Sequence, residues 1–220
     1  MPVADMNIIQ HPSPNFGERR DGARPELIVL HYTAMPTAQA ALARLSDPAF
    51  EVSAHYLIGR CGQIWQMVDE EKRAWHAGAG AWGGLGDVNS RSIGIELSNS
   101  GAEPFSELLM ASLEALLADL MARWGIPAQN IIGHSDMAPG RKIDPGARFD
   151  WPRLEQQGMA RLRGEAGQDL TPDPARLRAL ATVCGYPEDV SDDALLEAVR
   201  LRYRRGALGP LCAEDLRVLG

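Results

Sequence analysis

Apolar residues along this chain alternate between short continuous runs and helical stripes. "ELIVLHYT" carries four apolar residues in a row, Leu27 to Leu30, the pattern of a strand covered on both faces. Thr37 can cap a helix whose apolar positions are Ala41, Leu42 and Leu45 and which stops before Pro48. "SAHYLIG" and "QIWQMV" flank "RCG", so a hairpin turning at Gly62 is expected. Ala77 to Ser90 is too dense in glycine for anything but a loop, and it is the obvious candidate for a mobile lid. "SIGIELSN" reads as a second apolar strand. Ser106 then opens the clearest helix, with Leu109, Leu113, Leu116, Leu117, Leu120 and Trp124 at helical spacing and Gly125 and Pro127 as its stop. "NIIGH" reads as a short strand running straight into a loop, "GHSDMAPGRKIDPG". Residues 1–25, polar and rich in Pro, Gly and Asn, read as an irregular arm.

Strands interleaved with helices predict an α/β fold: a mixed central β-sheet flanked by helices on both faces. The pattern changes after about Arg163. "GEAGQDLTPDP" looks like a linker. Beyond it, Leu177 and Leu180 mark one helix, Leu195, Leu196, Val199 and Tyr203 a second with Ser191 as its cap, and Leu216 and Leu219 a short third. The expected division is a main domain over 1–165, a linker over 166–173 and a small three-helix module over 174–220.

Composition narrows the function classes. The chain has 220 residues, 45% of them hydrophobic, enough for a substantial core. A net charge of -7 is the wrong field for a general nucleic-acid or anionic-membrane binder. Three scattered cysteines, Cys61, Cys184 and Cys212, form no CxxC pair, which argues against a disulfide scaffold or a cysteine zinc site. No segment is apolar enough to span a bilayer. The first residues lack the basic start and apolar run of a signal peptide, so the cytoplasm is expected if the chain is full length. A trimmed signal would place it in the periplasm or at the outer membrane.

Two strands end in histidine, at His31 and His134, and Asp144 follows ten residues after the second. Two imidazoles and a carboxylate suit a three-ligand zinc site with its fourth position open; each histidine taken alone reads rather as capping its strand or hydrogen-bonding locally. Glu96 places a carboxylate inside an apolar strand. Either strand alternation turns it to solvent, or it is a general base whose pKa is raised by apolar surroundings. Lys142 is either a solvated loop lysine or, projecting to the same side as Asp144, a stabiliser of developing negative charge.

The ordered blocks "HYTA", "SAHYLIG", "WHAG", "NSRSIGIELSN" and "GHSDMAPGRKIDPG" resemble the zinc-dependent N-acetylmuramoyl-L-alanine amidases, a group that includes phage-lysozyme-type amidases and peptidoglycan recognition proteins. The resemblance covers roughly residues 5–160. It implies one zinc ion per chain on His31, His134 and Asp144, with Glu96 as acid/base and Lys142 stabilising the transition state. It implies muropeptides or peptidoglycan fragments as substrates, with His76 and Ala77 of "WHAG" in a block that lines the cleft. Asn89 and Arg91, before the glutamate strand, are candidate substrate contacts, and Arg141 either pairs with a peptide carboxylate or braces its own loop. The expected role is muropeptide recycling in the cytoplasm. The alternatives are an exported cell-wall-remodelling amidase or a muropeptide-binding receptor without hydrolysis. The tail is similar to the small helical peptidoglycan-binding module often fused to such enzymes, although "LRYRRGALGPLCAED" departs from that module's usual aromatic stretch and turn.

Overall fold

The structure is a computed structural model that describes residues 6–164 and 170–220. Six strands form the central sheet: β1 (Ile8–Gln10), β3 (Leu27–Tyr32), β4 (Tyr56–Ile58), β5 (Ile64–Gln66), β7 (Ser92–Leu97) and β8 (Ile131–Gly133), in the order β1-β5-β4-β7-β3-β8. β4, β7, β3 and β8 run parallel, whereas β4 and β5 form the antiparallel hairpin expected around Gly62, whose φ is 84°. β2 (Phe16–Glu18) pairs with β6 (Lys72–Ala74) in a separate antiparallel ribbon. The arm is therefore more ordered than its composition predicts: β1 adds a parallel edge strand against β5, a partner 56 residues further along that no local pattern announces.

Alternation along β3 and β7 sorts the sheet into two faces. Ile28, Leu30, Ile93, Ile95 and Leu97 point to one face, where α3 (Glu107–Trp124) and α5 (Trp151–Gln156) bury them in one cluster. Ser106 caps α3 through its side chain and Gly125 ends it in the left-handed region, as the sequence predicts. The other face is covered only at its flanks. α1 (Ala38–Ser46), capped by Thr37, packs with Leu57 of β4. On the other side Leu27, Val29 and Ile132 join a cluster with α6 (Pro174–Cys184), α7 (Asp192–Tyr203) and α8 (Ala213–Arg217). The C-terminal helices thus share a core with the sheet. The linker expected at 166–173 falls partly on 166–169, outside the described residues.

Two local expectations change. β8 leads into a helical turn, α4 (His134–Met137), before the loop proper, because the Asp136 side chain accepts a hydrogen bond from the Gly133 N–H and so caps the turn. The glycine-dense segment closes on α2 (Val88–Arg91) and is tied down along its length. Trp82 is buried edge-on against Tyr186, Ala81 N–H donates to the Met137 carbonyl, and Gly83 N–H donates to Gly185. A Cβ on Gly185, itself at φ 109°, would meet the Trp82 ring at 2.6 Å, so this clamp depends on glycine.

Candidate metal centre and active-site cleft

Register brings the chemistry together. In the parallel β3–β7 pair, His31 lies opposite Glu96, and both project from the face left open between α1 and the C-terminal helices. The loop after β8 enters this gap from the side. The result is a cleft of about 600 Å³ whose lining includes His31, His76, Glu96, His134, Lys142 and Asp144, with Ala41, Arg44 and Leu45 of α1 as its far wall.

At its floor three potential ligand atoms converge. His31 Nδ1 lies 2.9 Å from His134 Nδ1 and 2.9 Å from Asp144 Oδ2, and His134 Nδ1 lies 3.0 Å from the same oxygen. All three residues are buried. His134 Nε2 sits 2.8 Å from the Ala77 carbonyl, which can only accept, and 3.4 Å from Arg141 Nη2, whose closer contact is a hydrogen bond to that same carbonyl at 2.7 Å. His134 Nε2 carries the ring proton, and Nδ1 is a bare lone pair facing a carboxylate and another imidazole. Buried acceptors pressed together in this way repel unless a cation lies among them. Two imidazoles, one carboxylate and an adjoining cleft suit a zinc ion with an open coordination position.

Glu96 is the second unusual group. Its Oε2 is buried without a hydrogen-bond partner. Burial first, and then the Asp144 charge, pushes its pKa from 4.5 up to about 8, with Lys142 pulling the other way. Burial and the neighbouring His134 push His31 down to about 4, so the ring is neutral near pH 7.

The remaining candidate contacts divide. His76 and Arg141 line the cleft; Ala77, Asn89 and Arg91 do not. Asn89 is buried, and its Oδ1 accepts from the backbone N–H groups of His76 (3.1 Å) and Ala77 (2.8 Å). Arg91 pairs with Glu26 at 2.5 Å and donates to the Trp82 and Leu85 carbonyls. Both are thus engaged in holding the chain rather than facing a substrate. Arg141 donates to the carbonyls of Ala77 and Ala79, which braces its own loop against the glycine-dense segment. His55 packs in the sheet, accepting from Gly94 N–H at Nδ1 and donating to the Lys72 carbonyl from Nε2.

The sequence reading missed Ser92 and Gly94. A usable signal was present: Ser92, Gly94 and Glu96 are spaced by two along one strand, so they share a face. Small residues beside a buried glutamate leave room for something to pack there.

Known proteins match this arrangement. The sequence pattern of the N-acetylmuramoyl-L-alanine amidase family matches residues 21–147, more than half of the chain. The N-acetylmuramoyl-L-alanine amidase AmiD of Escherichia coli (strain K12) is 40% identical over 177 residues, 71% of this chain and 63% of that one. This chain therefore spans less than two thirds of that relative's length. The 1,6-anhydro-N-acetylmuramyl-L-alanine amidase AmpD of Salmonella typhimurium (strain SL1344) is 37% identical over 160 residues, 65% of this chain and 86% of that one. The structure of E. coli AmiD in complex with anhydro-N-acetylmuramic acid-L-Ala-D-gamma-Glu-L-Lys superimposes with a TM-score of 0.80 at 33% identity, covering 90% of this chain and 89% of that one. On sequence and fold together, the chain belongs to the N-acetylmuramoyl-L-alanine amidase family.

Proposed function

We propose that this protein is a zinc-dependent amidase that hydrolyses the amide between the lactyl group of N-acetylmuramic or 1,6-anhydro-N-acetylmuramic acid and L-alanine. The observation that carries this reading is the convergence of His31, His134 and Asp144 on one point, in the same cleft as Glu96, whose Oε2 is buried without a partner. His31, His134 and Asp144 hold one zinc ion. When bound, zinc supplies Lewis-acid polarisation of the carbonyl and acidifies water to a pKa of about 7. Glu96 takes a proton from the attacking water as its oxygen bonds to the lactyl carbon. The Lys142 ammonium steadies the negative charge that develops on the carbonyl oxygen. As the C–N bond breaks, Glu96 returns the proton to the leaving L-alanine nitrogen. The products are the muramic carboxylate and a free peptide amine.

The preferred substrates in this reading are soluble anhydromuropeptides, in cytoplasmic peptidoglycan recycling. It draws support from the relatives named as 1,6-anhydro amidases and from the anhydromuramyl peptide held by AmiD. A second reading, remodelling of the intact wall outside the cytoplasm, draws support from the resemblance of the C-terminal tail to peptidoglycan-binding modules. No helix among the described residues is long and apolar enough to cross a membrane. Peptide release from a soluble anhydromuramyl tripeptide and from intact sacculi, paired with fractionation of the native protein, separates the two. Release from the soluble substrate by a cytoplasmic protein is expected. Preference for sacculi by a protein found in the periplasm would overturn the recycling role.

A further inference from the structure

His134 and His31 face the cluster with the same atom, Nδ1, but their outer nitrogens are held differently. The nearer partner of His134 Nε2, ahead of Arg141 Nη2 at 3.4 Å, is a carbonyl at 2.8 Å, which can only accept. The partner of His31 Nε2 is another imidazole, His76 Nδ1, at 3.0 Å. A hydrogen bond between two neutral imidazoles can run in either direction, and only one direction leaves His31 Nδ1 bare.

The far end of the chain settles the direction. Ser92 Oγ gives its proton to the Val88 carbonyl at 2.6 Å. Towards His76 Nε2, 3.1 Å away, the hydroxyl is therefore an acceptor, and His76 carries its proton on Nε2. Its Nδ1 must then accept from His31 Nε2. We propose that His76 is a positioning residue for the metal: through Val88, Ser92 and His76, the chain holds His31 in the tautomer that aims a bare Nδ1 at the ion. The inference rests on the metal reading above.

The surroundings of His76 suit this task. Asn89 Oδ1 fixes the backbone of His76 and Ala77 together, so one clamped dipeptide supports the outer nitrogens of both metal-facing histidines. The ring lies against the bare backbone of β7 at Gly94, where a Cβ would fall 2.4 Å from His76 Cγ. Ser92, one strand alternation away from Gly94, then meets the edge of the ring. Outer-nitrogen partners of metal-bound histidines orient the ring and fix its tautomer, and losing one typically weakens metal binding by about 10- to 100-fold.

The test measures zinc affinity by competition with a chelator of known strength, alongside 15N NMR of the histidine rings in the metal-free wild-type protein. His76→Leu removes the acceptor and is expected to weaken zinc binding by about 10- to 100-fold. His76→Asn places a carbonyl oxygen where Nδ1 stood and is expected to retain most of the affinity. Ser92→Ala touches neither ligand yet is expected to weaken zinc, because nothing then selects the direction. The NMR spectrum is expected to show His31 and His76 both protonated at Nε2. Unchanged affinity in His76→Leu, equal losses in His76→Leu and His76→Asn, or a His31 protonated at Nδ1 would each overturn the proposal. If the wild-type chain takes up no zinc, the metal reading itself fails, and the NMR result still decides the tautomer.

Discussion

The two sides of α4 bury charge in opposite ways. Behind the turn, Asp136 is fully buried and closed off. Its Oδ2 accepts from Gly133 N–H and from Arg202 Nη1, both at 2.7 Å, and its Oδ1 accepts from the Tyr186 hydroxyl at 2.8 Å. Arg202, equally buried, also donates to the Ile131 carbonyl and lies 4.1 Å over the Trp151 ring. In front, two residues back along the same turn, His134 joins His31 and Asp144 in a group of facing acceptors, and Glu96 beside them has an oxygen with no partner. The rear carboxylate is closed by the C-terminal helices. The front one is left open towards a cleft. Arg202 Nε, stacked over Trp151, also lacks a partner, so an unfilled buried atom does not by itself mark a functional group. What separates the two carboxylates is that both Asp136 oxygens are filled, whereas Glu96 Oε2 is not and borders a cleft.

Removing the front's open carboxylate tests the comparison hardest. Glu96→Gln keeps shape and loses the base, so peptide release should fall by about 100- to 10,000-fold with zinc content unchanged. A loss below about tenfold would remove Glu96 from the chemistry. At the rear, Arg202→Met leaves Asp136 without its cation, and chemical denaturation should show a loss of about 3–5 kcal/mol. A loss under about 1 kcal/mol, the scale of a surface pair, would mean that the rear pair is not the closure described. Lys142→Ala should lower the rate by about 100- to 1000-fold, again without loss of zinc. Full activity in that variant would leave the lysine as a solvated loop residue.

The smallest effect is a pH dependence of stability. In the folded, metal-free protein the Glu96 pKa is raised from 4.5 to about 8, so the folded state keeps a proton that the unfolded chain gives up. Its contribution is fully present below pH 4.5 and is lost as pH rises through about 8. Below about pH 6.5 the buried, neutral His31, His55 and His76 act in the opposite sense, because the unfolded chain takes up protons that they refuse. Thermal unfolding of the chelated protein should therefore show Tm falling between about pH 6.5 and 8, and Glu96→Gln should fall less steeply there. Parallel profiles for the two proteins would show that Glu96 is not desolvated in the folded state.

Much of the front was legible in the sequence. Histidines ending apolar runs, a glutamate inside one, and a proline- and glycine-rich loop after the second histidine are local patterns, and α/β alternation implied a sheet edge where they could meet. The rear was less so. Asp136 lies in the same loop stretch as His134, but its partners Tyr186 and Arg202 lie 50 and 66 residues further on, beyond any periodicity. His76 and Asn89 drew attention as substrate contacts because of their block, yet their hydrogen bonds run inward. Only the packing of that block against Gly94 reveals this. The edge strand β1 was hidden for the same reason, since a three-residue strand is decided by its partner.

The most direct test of the account is peptide release from an anhydromuramyl tripeptide by protein that has been chelated and then reloaded with zinc, with zinc-loaded Glu96→Gln as control. Release is expected to be abolished by chelation, restored by zinc in the wild-type chain, and absent from the zinc-loaded variant. Release that persists after chelation, or a zinc-loaded Glu96→Gln as active as wild type, would contradict it.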